Sequence, residues 1–236
     1  FIDDKFDLNP WLKFISLTFF LIIILYFEDS LQIRELRFSF TNYVLNLGNY
    51  SIFITLLCYL LFINSFNMFD GINLQSSIFS SSFILYFLLI EFLVEFNFLI
   101  LPALTLFIIL NYKNKSFLGD GGCYLLSFIF GSFAIFAYNI RLIPFCDYIF
   151  ILMMLPGFDM LRLFFIRTLK KKSPFKPDRN HIHHLILKNL NYNKTIFIIS
   201  GLIIFNLTLL ALKIDTKLIL IIFLTLYFYL IIRFRN

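Results

Sequence analysis

The sequence predicts an all-α polytopic membrane bundle with about eight transmembrane helices, and three observations carry that reading. Of its 236 residues, 60% are hydrophobic and 14% charged, whereas a soluble domain is roughly half apolar and a quarter charged. The apolar residues come in runs of roughly 16–22, long enough to cross a hydrocarbon core of about 30 Å at about 1.5 Å per helical residue. The basic residues also segregate. Assigned to alternate loops, fifteen of the twenty Lys and Arg fall on one side, while Arg34, Arg37, Arg141, Lys213 and Lys217 fall on the other. That asymmetry marks the basic side as cytoplasmic.

Taken in order, spans are expected near 12–27, 50–66, 76–91, 97–111, 123–139, 145–167, 195–212 and 217–233. Each is apolar all round rather than on one face, as in helices that meet lipid or other helices. The polar stretch 28–49 separates the first two. Its alternation at Leu36-Arg37-Phe38-Ser39-Phe40 fits a small hairpin on the membrane surface. The segment 168–194 reads as a basic cytoplasmic loop and carries all three histidines. The whole of 1–236 is read as one integral-membrane domain.

Composition also excludes. Three scattered cysteines, Cys58, Cys123 and Cys146, have no CxxC spacing, so neither a disulfide framework nor a zinc knuckle is implied. The formal charge of +6 is what basic cytoplasmic loops produce, so nucleic acid is not an expected partner.

Four polar clusters fall on the basic side: Asp3-Asp4, the segment from Asn64 to Asn73, the segment from Phe117 to Gly122, and the segment from Ser173 to His184. Lipid-facing helices have no reason to collect their polar clusters on one face, whereas a single site built from several loops requires it. Asp3-Asp4, Asp70 and Asp120 are carboxylates at a membrane boundary, where they tend to mark function or stay in water. Magnesium is commonly held by one or two carboxylates, with phosphate and water completing its octahedron. Breaking a nucleotide-sugar diphosphate calls for such an ion. Gly119, Gly121 and Gly122 flank Asp120 and permit close backbone approach to a phosphate. The histidines His181, His183 and His184 follow Lys170-Lys171-Lys172 and Arg179. Without Cys or HExxH companions, that cluster suits an anion better than zinc.

In these residues the chain resembles the polyprenyl-phosphate N-acetylhexosamine-1-phosphate transferases of glycosyltransferase family 4. Within them it is most similar to the bacterial undecaprenyl-phosphate GlcNAc-1-phosphate transferase branch. The match rests on Phe1-Ile2-Asp3-Asp4, Asn64-Ser65-Phe66-Asn67-Met68-Phe69-Asp70-Gly71, Phe117-Leu118-Gly119-Asp120, and the run from Ser173 through Pro177-Asp178-Arg179 to His181-Ile182-His183-His184. The resemblance implies an eleven-helix fold whose aspartate pair follows the third helix. Eight helices here and three upstream would make that number.

The resemblance implies transfer of a sugar 1-phosphate, GlcNAc-1-phosphate first among candidates, from a UDP-N-acetylhexosamine to undecaprenyl phosphate with release of UMP. That step initiates a cell-envelope polysaccharide. Asp3 and Asp4 would lie near the lipid phosphate and Asp120 would bind Mg2+ (or Mn2+). Asp70 and Asn67 would shape the nucleotide and metal pocket, with Asn73 available to bond substrate. His181, His183, His184 and Arg179 would face the sugar phosphate, and Lys13 would snorkel to the lipid phosphate. The setting would be a bacterial inner membrane, with the lipid bilayer as partner, the site cytoplasmic and a homodimer one allowed assembly.

Two positions depart from the pattern. Asn73 stands where relatives often carry a second aspartate, and Cys123 stands where serine is common, so an inactive member of the family is one alternative. A transporter would set its acids near the bilayer midplane on broken or repeated helices, whereas these stand at helix ends. An alcohol phosphatidyltransferase would need several aspartates along one segment, of which Asp70-Gly71 is all that is present.

Overall fold

The computed structural model describes residues 9–172 and 179–235. Along them run α1 (Pro10–Phe27), a hairpin of β1 (Glu35–Arg37) and β2 (Val44–Asn46), α2 (Ser51–Phe69), α3 (Gln75–Leu89), α4 (Val94–Tyr112), α5 (Gly119–Asn139), α6 (Cys146–Leu169), the short α7 (Ile182–Asn189), α8 (Tyr192–Ala211) and α9 (Thr216–Phe234). The protein is an all-α polytopic membrane bundle. Among the described residues, α2, α4, α5, α6, α8 and α9 are long and apolar enough to cross a membrane, and α1 and α3 are apolar but shorter.

The expected hairpin is present, with Leu36 opposite Leu45 and Arg37 opposite Val44. It pairs further upstream than the alternation suggested, because Ser39 turns away to donate to Asp147. Two other boundaries matter for the site. Helix α2 runs on to Phe69, which puts Asn67 in its last turn rather than in a loop. Helix α5 begins at Gly119, four residues before the expected start, so Asp120 lies in its first turn. Gly119 has φ +64°, a conformation that glycine adopts at little cost. The segment 168–194 is not loop throughout, since α7 interrupts it with Ile182, His183 and Ile186 buried.

Helix α2 is the hub, packing on α5 and α6, while α3 packs on α4 and α8 and α9 covers α7. Between lipid-bathed helices the hydrophobic effect offers little net drive, so close packing and hydrogen bonds must hold the bundle. The core supplies the packing through linked rings. Phe83 stacks on Phe130 at 5.1 Å, Phe66 and Phe69 meet Phe79 at 5.7 and 5.5 Å, and Phe69 meets His183 edge-on at 6.4 Å. The end of α2 is thus wedged between α3 and the histidine segment.

The two ends of the bundle have separate polar networks. At the hairpin end, Arg37 donates to the Tyr138 carbonyl at 2.7 Å and Asn139 donates to Ser30 and Gln32. An apolar cavity of about 570 Å³ lies toward this end, with Phe38, Tyr59, Ile135 and Phe158 among its walls. Of the sequence-expected site residues that are described, none lines it; they gather at the opposite end.

Candidate active site

Two of the four clusters, and residues 179–184 of a third, lie within the described residues, and the fold draws them to one end of the bundle. The first piece is the turn from α2 to α3. Asp70 follows the last turn of α2, and its backbone N–H donates to the carbonyls of Phe66 and Asn67. Leu74 then enters α3 at φ +70°, a conformation a branched side chain avoids unless its surroundings impose it. Here Asn111 imposes it: its Oδ1 accepts from the Leu74 N–H at 2.6 Å while its Nδ2 donates to the Ser116 carbonyl. The tight turn brings the first turn of α3 back over Asp70, so the Ser76 hydroxyl donates to the Asp70 carboxylate.

The second piece is the start of α5. Asp120 sits in that helix's first turn, where the helix dipole favours negative charge. Its Oδ2 accepts from Lys13 Nζ at 2.9 Å, which ties α1 to α5. Cys123, one turn on, is fully buried and lies close enough to Asp70 to act on its carboxyl. Burial pushes the Asp70 carboxyl above the usual carboxylate range; the Ser76 and Cys123 donors hold it down, and the nearby charge of Asp120 pushes it up again.

The third piece is the histidine segment. His183 is wholly buried and lies against the α2–α3 turn. Its Nδ1 pairs with Gln75 Nε2 at 3.2 Å. A Cβ at Gly71 would stand 2.0 Å from its Nε2, so the turn can approach the ring only because residue 71 is glycine. Burial pushes the His183 imidazole down to about 3, aided by His184 and His181 and opposed by Asp159. It is therefore neutral at physiological pH. Two of the rings stack, His181 lying parallel to His183 at 5.5 Å, while His184 sits 4.3 Å from His183 with its ring tilted by 56°.

The structure places the remaining expected residues as follows. Asn67 is half-buried one turn before Asp70. Asn73 donates from its Nδ2 to Asn114 Oδ1, and its carbonyl accepts from Tyr192 at 2.9 Å. Its amide N–H is thus directed to the α4–α5 turn rather than to Asp70. Lys13 lies at the site end, beside Asp120, and Arg179 is exposed. Asp3, Asp4 and the run 173–178 lie outside the described residues.

Sequence reasoning missed Asp159. This acid lies well inside α6 rather than at a helix end, and its side chain is 2% exposed. It accepts from His181 Nδ1 at 2.7 Å, from Arg162 and Tyr227 at 2.8 Å each, and from the Ile182 N–H at 3.1 Å. A carboxylate in the middle of an apolar span, with an arginine three residues later, was the available signal.

Among the described residues, no group of three or more His, Cys, Asp or Glu is arranged to hold a metal. The donor set that is present, Asp70 and Asp120 within electrostatic reach of each other, still fits a magnesium ion. That ion commonly takes one or two carboxylates and draws its other ligands from phosphate and water.

Comparison with known proteins identifies relatives of the chain. A family profile described as glycosyl transferase family 4 matches residues 1–138. A protein of Salmonella typhi named undecaprenyl-phosphate alpha-N-acetylglucosaminyl 1-phosphate transferase is 30% identical over 200 residues, covering 79% of this chain and 54% of the relative. Proteins of the same name from Escherichia coli K12 and Yersinia pestis are each 29% identical, over 199 and 200 residues, with the same coverage. The chain thus spans about half the length of the curated relatives it matches. With the profile covering more than half of its residues, the chain belongs to glycosyl transferase family 4.

Proposed function

We propose that the protein transfers GlcNAc 1-phosphate from UDP-GlcNAc to undecaprenyl phosphate and releases UMP, as the first step of a cell-envelope polysaccharide. The observation that carries this reading is the meeting of Asp70, Asp120 and the histidine stack at one end of a membrane bundle. There, water-soluble and lipid-bound phosphates can reach the same groups. The names of the relatives supply the sugar and the acceptor. The excess of Lys and Arg at this end supports a cytoplasmic site in a bacterial inner membrane.

In this reading an oxygen of the lipid phosphate attacks the sugar-bearing β-phosphorus of the donor. The bridging P–O bond breaks and UMP carries away the electron pair. Asp120 and Asp70 would hold Mg2+ (or Mn2+), which neutralises diphosphate charge when bound. The first turn of α5 presents backbone N–H groups and the positive end of its dipole to an anion. Asp3 and Asp4 would orient the lipid phosphate, Asn67 and Asn73 would contact the nucleotide, and Lys13 would exchange between Asp120 and the lipid phosphate. His184 and Arg179 would meet the donor's phosphates and His181 its sugar, with the buried, neutral His183 as the pillar that fixes them against Gly71.

The test is transfer of label from a panel of UDP-amino-sugars into the lipid phase, using membranes that contain the full-length protein, undecaprenyl phosphate and magnesium. Label from UDP-GlcNAc should enter the lipid and be returned by added UMP. No transfer from any donor by abundant, inserted protein would refute the proposal and favour an inactive family member.

A further inference from the structure

The inference concerns how His181 is held, and it rests on the transferase reading above. His181 caps the start of α7 with an extended backbone (φ −60°, ψ 148°), and its side chain makes no helix-capping hydrogen bond. It reaches instead to α6, where Nδ1 meets Asp159 Oδ2 at 2.7 Å. The carboxylate is fixed from three further directions. The Ile182 N–H reaches it at 3.1 Å, and Arg162 Nη2 and the Tyr227 hydroxyl each reach Oδ1 at 2.8 Å. Arg162 is held in turn, donating from Nε to Tyr227 at 2.7 Å and from Nη2 to the Asn180 carbonyl at 2.6 Å. Three helices and the chain just before α7 thus converge on one buried acid.

An ionised carboxylate only accepts hydrogen bonds, so the proton between the two groups sits on Nδ1. In a neutral imidazole that leaves a lone pair on Nε2, across the ring. A histidine without such a partner divides between two tautomers and several ring orientations. We propose that Asp159 is a positioning residue: by taking the Nδ1–H of His181 it fixes the ring's orientation and tautomer, and it leaves Nε2 as an acceptor for a hydrogen-bond donor of the substrate, a sugar hydroxyl or the acetamido N–H. Arg162 and Tyr227 keep the carboxylate in place. His183, parallel to His181 at 5.5 Å, limits rotation of the ring from its face. The buried acid therefore acts on the reaction without touching substrate.

The test has a spectroscopic arm and a kinetic arm. The protein has three histidines, so 15N-histidine spectra of the full-length protein in detergent are assignable with a His181→Gln variant. At a pH where its ring is neutral, His181 should show a protonated Nδ1 and an unprotonated Nε2. In Asp159→Asn this preference should be lost, with kcat falling about 10²-fold per folded protein and the KM for the UDP-sugar changing less than about threefold. In Tyr227→Phe, which keeps the Asp159–His181 bond, the Nδ1–H signal should remain. A His181 protonated on Nε2 in the unaltered protein would overturn the proposal, even if Asp159→Asn fails to accumulate. Asp159→Asn with unchanged spectrum and kcat would also overturn it. An Nδ1–H signal in a protein that transfers no sugar phosphate from any donor would refute the transferase reading and leave the Asp159–His181 pair standing.

Discussion

Substituting Gly71 with alanine isolates the contact on which the site's two halves meet. Gly71 does not have a positive φ, so alanine brings no backbone strain there, and the effect of the new methyl group is purely steric. Its Cβ would lie 2.0 Å from His183 Nε2, 2.7 Å from Cε1 and 3.0 Å from Cδ2. The ring has little room to retreat. It is wholly buried, paired with Gln75 on Nδ1 and bounded by Phe69, His181 and His184. Overpacking of this kind costs roughly 1–3 kcal/mol, or a fall in Tm of roughly 2–12 °C for a chain of this size. Separation of the Asp70 turn from the histidine stack by about 1 Å should lower kcat about 10²-fold. The assay is sugar-phosphate transfer alongside thermal unfolding in detergent, with Gly71→Ala compared in the native and His183→Ala backgrounds. If the clash is the cause, the substitution should cost little once the imidazole is gone. A Gly71→Ala protein with native rate and Tm would refute the reasoning. So would an equal loss in both backgrounds.

Asp120→Asn should abolish magnesium-dependent transfer while leaving the protein inserted, and a metal titration showing unchanged activity would remove Asp120 from the metal site. Ser76→Ala deletes a hydrogen bond that favours the ionised form of Asp70. The acid limb of kcat/KM, if Asp70 must be ionised, should then move to higher pH, and an unmoved limb would exclude Asp70 as the titrating group. Between pH 6.5 and about 3, an unfolded chain binds a proton that the buried His183 refuses. Folding stability should therefore fall as pH falls through that window, by up to about 1.4 kcal/mol per unit. Equilibrium unfolding of His183→Gln should lack that part of the slope, and an identical slope would place the titration elsewhere.

Much of the fold was legible because membrane spans are written in runs of apolar residues. The helices from α1 to α9, apart from α7, appear where those runs stand, and the alternation near Leu36 marked the hairpin. The site was legible as a list of residues more than as an arrangement. Asp70, Asp120 and the histidines were recognisable, and loop counting put them on one side. Their pairing was not, because Gly71 against His183 and Lys13 against Asp120 are contacts between distant parts of the chain. His183 read as part of a solvated basic loop because Lys170-Lys171-Lys172 and Arg179 precede it. The spacing of Ile182 and Ile186, one helical turn apart and both buried, was the local sign of a helix with an inward face. Asp159 was hidden by its neighbours: the apolar run over 146–169 was strong enough to name the span, and the acid inside it passed as an interruption.

The central claim is that the sugar moves together with the β-phosphate of its donor. The most direct measurement uses UDP-GlcNAc labelled with 14C in the sugar and 32P at the β-phosphate, given to the full-length protein with undecaprenyl phosphate and magnesium. The account predicts that both labels enter the lipid phase in equal amounts while unlabelled UMP appears in the water phase. Carbon entering the lipid without phosphorus, with labelled UDP left behind, would mean glycosyl transfer and would contradict it.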